Sequence, residues 1–192
     1  MSRVSLLVCL VSLVILAFHG IGAANALELP ARHDHGDGSE PLDKRTKPID
    51  KRTAKEVIKK LNMLANPEKG YYAETFRDSL LINNRSASTA IYYLLEGSAG
   101  NSLWHRVDAV EVWHYYAGAP LTLSLSYNNG TGVRKVTLGP DVFDKQQPQV
   151  VIAQWEWQRA KSLGDWTLVG TTMAPAFDPN GYEIAAPNWN PS

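Results

Sequence analysis

The densest run of side chains able to do chemistry is Trp104-His105-Arg106-Val107-Asp108-Ala109-Val110-Glu111-Val112-Trp113-His114-Tyr115-Tyr116-Ala117-Gly118. It places two imidazoles, His105 and His114, and two carboxylates, Asp108 and Glu111, within ten positions among aromatic residues. An imidazole titrates near neutral pH, so one held beside a carboxylate can shuttle a proton or ligate a metal. A plainer reading stays open, with both histidines hydrogen-bonded inside a sheet and Arg106 pairing with Asp108 at the surface. Other chemistries close quickly. The single cysteine, Cys9, sits in an apolar leader, which leaves the rest of the chain without thiolate nucleophiles or thiolate metal ligands. No Gly-x-Ser-x-Gly elbow, phosphate loop or dinucleotide fingerprint occurs. The 19 basic residues are balanced by 19 acidic ones and form no aromatic-interleaved cluster, so nucleic acid is not an expected partner.

Strands must position these residues. From Tyr71 onward the apolar period is two, and β-branched and aromatic residues dominate between turn signals. The expected strands are 71–77, 88–96, 102–107, 111–117, 120–127, 133–138, 149–153, 157–162 and 166–173. The clearest hairpin alternates Leu121, Leu123, Leu125 and Tyr127 with Thr122, Ser124 and Ser126 before an Asn128-Asn129-Gly130 turn. Many short strands without intervening helices predict an all-β antiparallel sandwich or barrel, with Trp157 and Trp166 buried. Strand parity puts Glu111, Trp113 and Tyr115 on one face and His114 on the other, unless a bulge intervenes. One helix precedes the strands. Thr53 and Glu56 have the spacing of a capping box. Val57, Ile58, Leu61 and Leu64 make an apolar stripe, and Asn66-Pro67 ends the helix after about Ala65.

The N-terminal quarter reads differently. Arg3 precedes an apolar run from Leu6 to Phe18 and then small residues ending in Ala24-Asn25-Ala26, the pattern of a secretory signal peptide over residues 1–26. The run is shorter than the roughly 20 residues needed to span a bilayer, so the mature chain is expected to be secreted, with no membrane partner. Residues 27–52 are polar and aperiodic and are read as a disordered linker or propeptide. Their His33-Asp34-His35 tract is read as a bystander rather than a metal site. Two Lys-Arg pairs, Lys44-Arg45 and Lys51-Arg52, resemble kexin-type processing sites, and a solvated charged linker is the alternative. Asn84-Arg85-Ser86 and Asn129-Gly130-Thr131 are glycosylation sequons in polar, turn-like stretches.

Several strings along residues 53–192 occur together in a familiar order: Pro67-Glu68-Lys69-Gly70-Tyr71-Tyr72-Ala73-Glu74-Thr75, Ser88-Thr89-Ala90-Ile91-Tyr92-Tyr93-Leu94-Leu95, the His105 to Gly118 segment, and Gly164-Asp165-Trp166 through Phe177-Asp178. Over roughly 55–186 the chain resembles cupin family 5. The resemblance implies a double-stranded β-helix, or cupin jelly roll, with one N-terminal helix. It also implies a small-molecule pocket inside the barrel and a homodimer, but no agreed reaction. Metal-binding cupins carry two histidines one residue apart, then a glutamate, then a glycine, with a third histidine later. Here His105, Glu111 and Gly118 keep that register, while Val107 and Gln158 stand where the other two imidazoles would be, and Ala153-Gln154-Trp155 replaces an expected Pro-x-Gly turn. One imidazole, one carboxylate and one amide oxygen make a poor transition-metal set, so neither metal nor cofactor is expected. The competing expectation is a facial set of His105, Glu111 and His114 assembled by a bulge near Trp113.

Three functional classes follow. In a binding module, Tyr72, Tyr92 and Trp113 wall a carbohydrate-like or aromatic ligand, with His114 and Gln158 among its polar contacts. In a metal-independent epimerase or isomerase, His105 moves the proton and Glu74 or Glu111 orients its ring. In a secreted scaffold or storage-like protein the interior is filled.

Overall fold

The computed structural model describes residues 47–192. The expected signal peptide, the His33-Asp34-His35 tract and the Lys44-Arg45 pair lie outside the described residues. The helix starts as its capping box requires: the Thr53 hydroxyl accepts from the Glu56 amide, and the Glu56 carboxylate accepts from the Thr53 amide at 2.8 Å. It ends sooner than the apolar stripe suggests. Helix α1 spans Ala54–Lys60, Asn62 is left-handed at φ 52°, and Leu64 is exposed. Leu64–Ala65 instead pairs as a short strand with Tyr71–Tyr72, because an edge ladder satisfies backbone groups that a frayed helix end would leave open.

The strands follow in order: β1 Leu64–Ala65, β2 Tyr71–Arg77, β3 Leu81–Ile82, β4 Arg85–Ser86, β5 Thr89–Glu96, β6 His105–Val107, β7 Val110–Gly118, β8 Leu121–Ser126, β9 Arg134–Leu138, β10 Gln149–Ile152, β11 Trp157–Ser162, β12 Trp166–Ala174 and β13 Tyr182–Ile184. They form a six-stranded sheet in the order β1-β2-β5-β12-β7-β10 and a five-stranded sheet in the order β13-β6-β11-β8-β9, with β3-β4 a separate hairpin. All nine expected strands form within a few residues of the expected limits. The small strands β1, β3, β4 and β13 escape the periodicity because each has only two or three residues.

Alternation delivers the interior. Leu121, Leu123 and Leu125 meet Leu95, Val169, Val150 and Ile152 in one buried cluster between the sheets. On the outer side of the six-stranded sheet, Val57 and Ala54 of α1 pack on Leu94, Leu168, Ala117 and Trp166. Trp157 and Trp166 are both buried. Residues 47–52, expected to lack structure, continue this outer packing. Ile49–Lys51 makes a 3-10 turn, the Arg52 carbonyl accepts from the Trp166 indole at 2.9 Å, and the Asp50 carboxylate accepts from the Gly118 amide. The surface pair expected between Arg106 and Asp108 does not form. Asp108 takes a two-pronged bond from Arg85, and Arg106 pairs with Glu183 on the neighbouring strand β13.

Candidate functional site

One end of the space between the sheets is hollow. A cavity of about 250 Å³ is bordered by the β5, β7 and β12 faces that carry Tyr93, Trp113 and Thr171, by His105 of β6, and by Glu68 from the loop before β2. That loop is held by its own residue types. The Asn66 side chain accepts from the Glu68 amide, and Lys69 and Gly70 both adopt left-handed backbone, at φ 81° and 73°. Gly70 could carry no side chain, since a Cβ would lie 2.4 Å from the Leu94 carbonyl. The Lys69 ammonium ties down to the Ala99 and Asn101 carbonyls, the Tyr93 hydroxyl donates to the Lys69 carbonyl, and the Leu103 amide donates to the Glu68 carbonyl. Glu68 is thereby carried into the barrel mouth on a clamped turn.

Its carboxylate meets His105. Nδ1 of the imidazole lies 3.2 Å from Glu68 Oε2 and 3.3 Å from the Leu103 carbonyl oxygen. A carbonyl can only accept, so Nδ1 carries a proton and Nε2 is the basic nitrogen of the neutral ring. Nε2 has no hydrogen-bond partner among the described residues, and it is not sealed from the cavity. Burial pushes the Glu68 carboxyl above its ordinary value; the neighbouring His105 opposes the rise and Glu111 adds to it. Tyr182 stands beside the pair, its ring 6.0 Å from that of His105. Burial and then the Glu68 charge raise its phenol strongly, keeping it protonated.

A second chain of bonds sets Glu111. The Trp113 indole N–H, which can only donate, gives its proton to Gln158 Oε1 at 3.0 Å. The amide orientation is therefore fixed, and Gln158 Nε2 donates to Glu111 Oε2 at 2.6 Å. Gln158 is completely buried and Glu111 only 7% exposed. The register that pairs Gln158 with His105 across β11 and β6 brings this amide under the site.

Of the residues singled out from the sequence, His105, Glu111, Tyr72, Trp113 and Glu74 border the cavity, and Gln158 lies behind its wall. Glu74 sits at the mouth in a two-pronged pair with Arg77, so the carboxylate on the His105 ring is Glu68 rather than Glu74 or Glu111. Tyr92 and His114 point the other way. Tyr92 packs edge-on against Tyr116 in an outer groove, and His114 approaches Thr172 on the outer sheet face. The one irregularity pairing β12 with β7 falls past these residues, between Leu168 and Val169, and leaves the alternation of Glu111, Trp113 and His114 intact. Glu68 and Tyr182 went unassigned from sequence. Glu68 sits in a loop outside any periodic stretch, and the signal it carried was its place in the Pro67 to Thr75 string of the family resemblance. Asn84 occupies the left-handed tip of the β3-β4 hairpin, and Asn129 is exposed, with its side chain accepting from the Thr131 hydroxyl at 2.7 Å.

Residues 55–185 match the family model described as Cupin superfamily (DUF985). The chain is a cupin. A hypothetical protein from Leishmania major is 27% identical, with a TM-score of 0.65 over 70% of this chain and 88% of that one. Protein SO0799 from Shewanella oneidensis is 26% identical, with a TM-score of 0.66 over 70% of this cupin and 85% of its own chain. No curated protein matches the sequence significantly.

Metals are common in cupins, and the residues present do not fit one here. Val107 offers no donor, both ends of the Gln158 amide are already bonded, and Nδ1 of His105 faces Glu68 and a carbonyl. His114 lies on the opposite face from Glu111, so the facial set does not assemble. Among the described residues no three His, Cys, Asp or Glu side chains converge on a common point suited to a metal.

Proposed function

We propose that this cupin is secreted, binds a small molecule in its barrel cavity and moves a proton on it through His105, with Glu68 orienting the ring. The observation that carries this reading is the 3.2 Å approach of His105 Nδ1 to Glu68 on the wall of a cavity open at the barrel mouth. A carboxylate on Nδ1 fixes the tautomer and steadies the imidazolium that forms when Nε2 takes a proton. An epimerase or isomerase of this kind removes a proton from carbon next to a carbonyl, lets the electron pair rest on the carbonyl oxygen, and returns the proton to carbon. The test is a thermal-shift screen of small metabolites, with the ligands that bind then followed by NMR in deuterium oxide. Wild type should wash deuterium into a bound substrate. His105→Gln should keep the binding and lose about 10²–10⁴-fold in exchange rate. Binding without exchange in wild type would leave a binding module, and no binding at all would leave a scaffold.

The homodimer and the glycans at Asn84 and Asn129 belong to the same proposal. Phe76, Leu80, Leu81 and Ile82 form an exposed apolar patch around the β3-β4 hairpin, a surface suited to burial between subunits. Asn84, at the hairpin tip, puts its glycan at the edge of that patch. Light scattering, expected to give a dimer mass at micromolar concentration, tests the homodimer, and intact mass of the secreted protein, expected to fall by one glycan in each of Asn84→Gln and Asn129→Gln, tests the glycans.

A further inference from the structure

The cavity's charges, taken with its aromatic walls, select the sign of its ligand. None of its lining residues is Lys or Arg, whereas three are glutamates. Two of these have cationic or protonatable partners: Glu74 pairs with Arg77 at 2.7 Å, and Glu68 with His105. Glu111 does not. Its single hydrogen bond among the described residues comes from a neutral amide, and Oε1 is left without a partner yet open to the cavity. A buried carboxylate without a counter-charge is costly, and the cost is relieved by a cation delivered to it. Lining the cavity with it are the rings of Trp113, Tyr93, Tyr72, Phe177 and Tyr182. Aromatic faces attract a positive charge and shelter an apolar body. A phosphate or carboxylate would enter among like charges, and the nearby Arg77 guanidinium is already held by Glu74.

We propose that the cavity takes a small organic cation, a protonated amine on an apolar or aromatic body, with its ammonium on Glu111. This rests on the reading of the cavity as a ligand site and adds the chemical class of the ligand. At about 250 Å³ the space suits a compact amine rather than a nucleotide or an oligosaccharide.

Three probes sharing one body test it by calorimetric titration of the secreted protein near neutral pH: phenethylammonium, 2-phenylethanol and phenylacetate. The ammonium should bind about tenfold or more tighter than the alcohol, and the carboxylate should not bind. Glu111→Gln should erase the advantage of the ammonium while leaving the alcohol's affinity in place. The ranking is measured on wild type, so it stands even if the variant fails to fold. Equal binding of alcohol and ammonium, or preferential binding of phenylacetate, would overturn the cation while leaving a ligand cavity. Silence from all three probes, with neutral or anionic compounds emerging from the metabolite screen, would overturn this inference alone. Zinc or manganese binding by itself in a Glu111-dependent manner, with no ammonium binding, would replace the organic cation by a metal.

Discussion

Two hollows lie on opposite sides of the same sheet, and the larger carries less chemistry. The outer groove, about 1120 Å³, runs between α1 and Tyr92, Tyr116 and Leu168, with Lys47, Lys59 and Lys60 along its border. Its acidic residue, Glu56, lies in water beside Arg52 and the start of α1. The Thr53 backbone amide, then Arg52, holds the Glu56 carboxyl down at about 2. Inside the barrel, in about 250 Å³, burial drives the same residue type the other way, and Glu68 rises. The two glutamates show how surroundings rather than residue type set a carboxyl's proton affinity: cap hydrogen bonds in water lower it, and burial between the sheets raises it.

The largest expected effect falls on the outer side. Trp166→Ala removes the ring on which α1 and Arg52 rest and should cost about 3–5 kcal/mol by thermal unfolding. Titration of the folded fraction with phenethylammonium should be unchanged, because the cavity lies across the sheet. Lost binding with an unshifted melting temperature would mean that the two sides are not separate.

A smaller change is expected from Glu68→Gln, and its signature is pH dependence. The folded-state value of Glu68 lies above its ordinary 4.5. The folded chain therefore holds that proton to higher pH than the unfolded chain. The associated stability is complete below about 4.5 and fades as pH climbs through the raised value. Denaturant titrations across that window should show the variant gaining on wild type as pH rises. Parallel curves would contradict the placement of Glu68 in an enclosed site.

The smallest effect tests the solvated side. Thr53→Ala should cost about 1 kcal/mol at neutral pH through loss of the cap. The Glu56 carboxyl is lowered, so its share of the cap is present above the ordinary 4.5 and vanishes as pH falls towards 2. The cost of the substitution should shrink over that range, the opposite slope to that of Glu68. A cost that grows on acidification would break the contrast.

The sequence by itself determined whatever depends on near neighbours. A residue's face on a strand is set by its parity, so Glu111 and Trp113 turned inward and His114 outward as the alternation of β7 requires. The cap of α1 is equally local, closed by residues three apart. Tertiary structure decided the rest. The end of α1 was taken by the pairing of Leu64 with Tyr72, a partner no helical periodicity reports. Gln158 of β11 reached Glu111 and Trp113 of β7 because the two sheets face each other, and Glu68 reached His105 because a clamped turn crosses the barrel mouth. Periodicity says which way a side chain points, but only the closing of distant strands on one another says which group it will meet and how little water will remain between them.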